Sequence, residues 1–499
     1  MKRVVVVGGG LGGLSTGVLL AKNGYEVCVL EQGVQIGGCL QCFYRRGVKF
    51  ETGMHFIGSA DEGQILNKML RYLEIADKIS LSRLDTARYH TVALGGERFE
   101  FANGKEPFIE QMATYFPAQK DNLEKYYNIV ESISASSALH TLKNGTTDNA
   151  INLKYQLTSI NEVIESLIDD PLLQKVLVGD LPLYAAVRDR TPFAVHAFIM
   201  DFYNQSTFRI VGGSDRVAKA LVDVIAKYGG EVRTQSRVTR IVCDEKKATG
   251  VEVNGCEFIK ADYVISATHP MRTLEMLRDT HLIRPVFRNR ICNIPQTTGA
   301  FSVYLRFKSH TVPYMNYNFF GYNSDTPWGC EEYDESNWPK GFLYVHTCSE
   351  PGRRYADAGL ILTYMRMDEL KLWEHTYTGK RGADYDAFVT RRARLLIDSL
   401  EKQFPGIGDC IASFYVASPL TYRDYTGTEG GSLYGVARDL TLGAAGRVPH
   451  KTRIPNVFMT GQNVNSHGVL GVIIGAMITS SELLTSDYIY TQIMETNNC

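Results

Sequence analysis

Four consecutive valines, Val4 to Val7, run directly into a turn in which Gly8, Gly10 and Gly13 keep G-x-G-x-x-G spacing. An unbroken β-branched run reads as a parallel strand buried on both faces. The pattern from Leu14 to Asn23 is helical, and a second strand, Tyr25 to Leu30, ends on Glu31, eighteen residues past Gly13. Strand, glycine turn, helix, strand and acid in that order predict a dinucleotide site. The glycines let a diphosphate approach the backbone, the helix N-terminus offers free N–H groups, and Glu31 accepts hydrogen bonds from ribose hydroxyls. Lys2-Arg3 and the apolar stretch to Leu20 imitate a secretory leader. Six glycines by Gly17 and an α/β continuation point instead to a retained, folded N-terminus.

With 499 residues, 44% of them hydrophobic, the chain can bury a large core divided between two domains. Its 53 basic and 54 acidic residues leave a net charge of −1, so no global field favours nucleic acid or anionic lipid. Ten scattered cysteines suggest reduced thiols. No apolar run reaches the roughly 18–20 residues that span a bilayer. A cytoplasmic location is expected, with contact at the inner face of a membrane left open.

Three α/β-like blocks are separated by stretches of different texture. Residues 1–75, 206–290 and 441–499 read as one discontinuous nucleotide-binding domain. Residues 76–205, mainly helical and aromatic, and residues 291–440, strand-like pieces with an amphipathic helix from Tyr385 to Gln403, read as a substrate domain.

The segment after Glu31 separates FAD from a nicotinamide. A second glycine pair, Gly37-Gly38, comes six residues beyond the acid, where an extended segment can pass close to a diphosphate and ribityl chain. Near the C-terminus, Thr460-Gly461-Gln462 and then Gly468-Val469-Leu470-Gly471 read as a strand end and loop feeding a helix. The N-terminal amides of that helix can stabilise negative charge on a reduced isoalloxazine.

These residues bring the chain to a recognisable group. Leu30-Glu31-Gln32, Gly37-Gly38-Cys39, the stretch Gly47 to Gly58, Gly212-Gly213-Ser214, Ser266 to Pro270, Tyr422 to Tyr425, Gly431 to Gly435 and Thr460-Gly461-Gln462 resemble the phytoene desaturase, carotenoid isomerase and retinol saturase flavoproteins. Gly-Gly-Cys in place of Gly-Gly-Arg, and Thr52-Gly53-Met54-His55-Phe56-Ile57-Gly58, make retinol saturases the nearer likeness. Glu51 stands where the group has Asp, and Asn465-Ser466-His467-Gly468 replaces the Pro-Gly-Gly-Gly of desaturases. The resemblance implies a Rossmann-like FAD-binding domain of glutathione-reductase and amine-oxidase type, α/β in class, interleaved with an α+β substrate domain. It places Gly8, Gly10, Gly13, Glu31, Gly37 and Gly38 along the adenosine and diphosphate, and the Val238 backbone at the adenine. It puts Gly53, Met54, His55, Gly461, Gln462, Gly468, Val469 and Leu470 near the isoalloxazine.

His55, and with weaker support His467, are candidate proton donors to a carbon beside one that receives hydride. A structural role for His55 around the flavin is the heavier alternative. Cys39 and Cys42 invite comparison with disulfide reductases, but their spacing and the lack of a second nucleotide fingerprint favour buried thiols. No histidine or cysteine cluster predicts a metal. Aromatics of the inserts (Tyr184, Phe193, Phe198, Phe202, Tyr203, Phe208, Tyr314, Tyr317, Phe319 and Phe320) collectively suit the wall of an apolar tunnel, although for any one of them plain core is the readier role.

The expectation is an FAD oxidoreductase acting on a carbon–carbon double bond of a long hydrophobic polyene, retinoid- or carotenoid-like, by saturation, desaturation or isomerisation. Its electron donor or acceptor is external, a quinone or another protein. The rival reading is an amine-oxidase-like flavoenzyme that oxidises a C–N bond with oxygen as acceptor.

Overall fold

The computed structural model describes residues 1–137 and 149–498. Its central sheet is parallel and five-stranded, in the order Glu231–Arg233, Glu26–Leu30, Arg3–Val7, Tyr263–Ser266, Val457–Met459. The valine strand lies in the middle, which is why its four valines are unbroken by any polar residue. Its side chains alternate between two layers. Val4 and Val6 pack with helices Leu11–Lys22, Asp215–Lys227 and Gly468–Leu484. Val5 and Val7 pack beneath an antiparallel meander, Val238–Cys243, Ala248–Val253 and Glu257–Lys260.

A second sheet has seven strands: Ile411–Ala417, Ala300–Phe307, Ala358–Tyr364, Gly341–His346, Asn318–Tyr322, His90–Leu94 and Glu97–Phe101. It is antiparallel except where Asn318–Tyr322 runs parallel to His90–Leu94. Period-two alternation in Ala300–Phe307 sends Phe301, Val303 and Leu305 toward helix Ala383–Gln403. Tyr304 points the other way, into a core shared with helices Lys120–Ala135 and Phe193–Gln205.

Two features add to the sequence reading. The stretch 76–205 is not simply helical, because His90–Leu94 and Glu97–Phe101 form a hairpin that completes the second sheet. Thr207–Ile210, near the start of the expected second block, pairs with Ile57–Gly58 and Leu81–Arg83 and is not a strand of the parallel sheet. Among the described residues no single helix is long and apolar enough to cross a membrane. Gly468–Leu484 and Ser486–Asn497 pass that test only as a pair bent by 120°.

Candidate active site

The glycine turn lies at the C-terminal end of the valine strand, where ligands bind open parallel sheets. Each glycine meets a different demand. Gly8 has φ +105°, and a Cβ on Gly13 would stand 2.0 Å from the Gly8 carbonyl oxygen, so residue 13 lets the helix close on the strand. A Cβ on Gly12 would lie 2.9 Å from Cα of Gly461, which brings the C-terminal loop against the same helix start. Gly10 differs: its φ of −78° suits any residue, and the nearest atom to an added Cβ is 3.9 Å away. Packing within the protein therefore does not require glycine there, whereas a ligand lying on the turn does.

Gly37 N–H donates to the Gly9 carbonyl at 2.7 Å, holding the second glycine pair alongside the first turn. The Glu31 carboxylate accepts from Gly9 N–H at 2.8 Å and from Gly33 N–H at 2.7 Å, which places the acid at the mouth of the turn. Val238 is buried with Leu30 in the layer beneath the sheet. Helices Leu11–Lys22 and Gly468–Leu484 both begin without a side-chain cap and with no acid in the first turn. Two uncapped helix starts, with nearby glycine backbones, fit the diphosphate and ring of a flavin dinucleotide.

A cavity of about 620 Å³ adjoins this cradle. It brings together Gly53, Met54 and His55 from one side with His467, Gly468, Val469 and Leu470 from the other. Gly461 and Gln462 lie outside its lining; the Gln462 amide donates to the Leu433 carbonyl at 3.4 Å. The apolar wall comes from Leu183, Phe198, Ile199, Phe202, Leu343 and Leu362, with Tyr203 beside them. Of the ten aromatics singled out in the sequence, Phe198, Phe202 and Tyr203 line the cavity and the other seven do not.

His55 is buried, and neither ring nitrogen has a hydrogen-bond partner among the described residues. Its Nδ1 is 3.6 Å from the Glu51 carboxylate, which in turn accepts from Ser214 N–H at 3.0 Å. His467 behaves differently. Burial and the neighbouring Arg438 push its pKa down to about 3, and its ring packs on Tyr434 at 4.8 Å. These surroundings favour its neutral form.

Cys39 sits in a turn of 3-10 helix, Gly38–Leu40, and Cys42 opens the strand Cys42–Arg45, so the segment between them is not extended. Burial pushes both thiols up to about 11. Sequence reading missed Tyr434, Arg438, Asp439 and Arg447, all of which line the cavity. They lie on an irregular stretch with no periodicity to mark which side chains turn inward.

The family described as flavin containing amine oxidoreductase matches residues 11–378. The chain belongs to this family. A flavin oxidoreductase with FAD as its cofactor accounts for the two glycine segments and the two uncapped helix starts. Within this family setting, the chain is 28% identical to human all-trans-retinol 13,14-reductase, covering 96% of this chain and 85% of the relative. It is 25% identical to prolycopene isomerase 1, chloroplastic, of an Oncidium hybrid cultivar, over 94% and 81% of the two chains. Cyclohexylamine oxidase from Brevibacterium oxydans shares the fold, with a TM-score of 0.59, 14% identity and coverage of 100% and 99%.

Proposed function

We propose that this flavoprotein acts on a carbon–carbon double bond of a long apolar polyene, of the retinoid or carotenoid class. The observation that carries the reading is the 620 Å³ cavity with its largely aliphatic and aromatic wall, running from the Gly53–His55 segment to the start of helix Gly468–Leu484. Similarity to a retinol reductase and a prolycopene isomerase supports the same substrate class.

In this reading the turn Gly8–Gly13 and the Gly37-Gly38 pair hold the diphosphate, Glu31 the ribose and the Val238 backbone the adenine. Gly53, Met54, Gly461, Gln462, Gly468, Val469 and Leu470 bound the ring. When bound, the flavin supplies two-electron chemistry at its N5. The chain's part is to lay the double bond along the apolar wall, exclude water and provide a proton. His55 is the group placed for that: it borders the cavity, its nitrogens are uncommitted, and Glu51 stands close enough to orient the ring. The electron partner is external, a quinone or another protein, and an apolar substrate favours contact with a membrane surface. The division into a nucleotide domain (1–75, 206–290, 441–499) and a substrate domain (76–205, 291–440) is part of this reading, supported by the parallel sheet drawing its strands from the first set of segments and the seven-stranded sheet from the second.

The test is anaerobic. The purified flavoprotein is reduced with dithionite and mixed with all-trans-retinol or a carotenoid. Bleaching of the polyene band with return of oxidised flavin establishes saturation, and a band shift without flavin oxidation establishes isomerisation. Inert polyenes, with immediate reoxidation by oxygen and turnover of amines, would replace this reading by the amine-oxidase one.

A further inference from the structure

One end of the cavity departs from its apolar wall. Arg438 and Arg447 both line it, and neither has a carboxylate partner among the described residues. Arg438 is half-buried and Arg447 is exposed at the cavity's rim. A guanidinium partly withdrawn from water without a counter-ion, with a second positive charge in its surroundings, is costly. Arg438 donates through Nη2 to the Asn465 carbonyl, which leaves most of its donor fork uncommitted. Arg447 donates to Gln156 Oε1 at 3.3 Å, a neutral acceptor. Burial and the charge of Arg447 push the Arg438 pKa down to about 10, so Arg438 stays cationic at neutral pH while its surroundings disfavour that charge. The one acid of this wall, Asp439, faces Arg190 at 3.6 Å and accepts from Thr441 N–H at 2.9 Å.

The stretch of chain that carries Arg447 is itself fixed. Arg290 donates to the carbonyls of Ala445 and Arg447, at 3.1 and 2.9 Å. The backbone that carries Arg447 is therefore anchored by the fold.

The geometry points to a substrate that carries a carboxylate at the end of its apolar chain, bound by Arg438 and Arg447 while the chain lies along Phe198, Phe202 and Leu362. The carboxylate supplies the counter-ion that the protein does not, and its two oxygens match the planar guanidinium fork. This inference rests on the polyene reading for the nature of the chain and is independent of it for the head group.

The experiment uses the flavin-loaded protein and two matched pairs of ligands: all-trans-retinoic acid against all-trans-retinol, and oleic acid against oleyl alcohol. Affinity is read from the perturbation of the flavin spectrum at pH 7.5, in low and in high salt. The acid of each pair is expected to bind at least about tenfold more tightly than the alcohol, as charge-assisted hydrogen bonds allow. Arg438→Gln and, separately, Arg447→Gln should bring the acid-to-alcohol ratio close to one. Either variant suffices if the other fails to fold.

Acid preference in the oleyl pair alone, abolished by the variants, supports the carboxylate site and removes the polyene reading. Equal or tighter binding of the alcohols in both pairs overturns the inference. So does binding by none of the four ligands, or tighter binding of retinyl phosphate than of retinoic acid. Loss of bound flavin from Arg438→Gln overturns it as well, by assigning that arginine to the cofactor.

Discussion

Gly10→Ala separates what the protein needs from what the cofactor needs. The backbone of Gly10, at φ −78° and ψ −180°, is ordinary for alanine, and its added Cβ would find nothing closer than Cα of Gly38 at 3.9 Å. The apoprotein should then lose only the small penalty of alanine at a helix N-cap, under about 1 kcal/mol. Gly13→Ala is the contrast. Its Cβ would fall 2.0 Å from the Gly8 carbonyl oxygen, more than an ångström inside contact distance and against backbone that cannot rotate away. Alanine returns about 1 kcal/mol of helix propensity, but overpacking costs roughly 1–3 kcal/mol and more when backbone must move. Gly13→Ala should therefore destabilise the apoprotein as well as weaken flavin binding. For Gly10→Ala the whole effect should appear on the cofactor, because in the proposed placement the methyl group would take up space that the diphosphate needs. At least about 100-fold weaker flavin binding, or roughly 2.7 kcal/mol, is expected. The assay pairs urea denaturation of apoprotein with fluorescence titration of flavin for both variants. Wild-type flavin affinity in Gly10→Ala would refute the reasoning, since the diphosphate could not then lie against this turn.

The other predictions concern protons and thiols. His55→Phe should retain flavin but lower kcat/KM for polyene saturation by about 100-fold or more, the scale of a lost proton donor, read from single-turnover bleaching. Unchanged kinetics would leave His55 a structural residue. Burial raises the Asp180 carboxyl from 3.8 to about 7. The folded protein therefore holds a proton that the unfolded chain has lost between about pH 4 and 7, and stability falls as pH rises through that window. The loss is on the order of 4 kcal/mol at most, and Asp180→Asn should flatten the pH dependence of the unfolding free energy across the window. Cys39 and Cys42, with thiols pushed up to about 11, should be almost entirely protonated at pH 7.5 and react slowly with a disulfide reagent, well behind exposed Cys256 and Cys292. A Cys39→Ser, Cys42→Ser double variant should reduce and reoxidise its flavin at the wild-type rate.

The sequence announced the frame because its signals are local. Val4–Val7, the glycine spacing and Glu31 lie within one βαβ unit, and the strand, turn and acid each leave a mark that one window of residues reveals. Likewise the helix ending at Gln403 showed itself by its amphipathic period. The hairpin His90–Phe101 did not. Its inner strand, His90–Leu94, is buried along its whole length and so carries no alternation, and its partner Asn318–Tyr322 lies more than two hundred residues away. The site divides in the same manner. His55 was visible through its neighbours in sequence, while Tyr434, Arg438 and Arg447 were not, because they face the cavity from irregular backbone whose direction only tertiary structure sets. The aromatics show the limit of composition: three of ten line the cavity, and the other seven are buried or packed against the core, which wants large side chains equally.

The fold alone could not have chosen between a C–N and a C=C substrate, because a cyclohexylamine oxidase adopts it at a TM-score of 0.59. Folds host many chemistries, and the site has to decide. An amine site must receive a cation, so its walls should offer anionic or aromatic groups and withhold fixed positive charge. This cavity does the reverse at one end. Arg438 and Arg447 project positive charge into it, and its one acid is already engaged by Arg190 and the backbone of Thr441. A protonated amine entering there would lose its hydration and meet like charge, whereas an apolar chain meets aliphatic wall along most of the cavity. The arginines therefore disfavour the amine reading, whichever substrate the apolar wall accepts. Replacing both with glutamine should consequently improve amine binding, detected as a flavin spectral change with cyclohexylamine that wild-type protein lacks. A wild-type protein that already binds the amine tightly would show that these charges do not govern what enters.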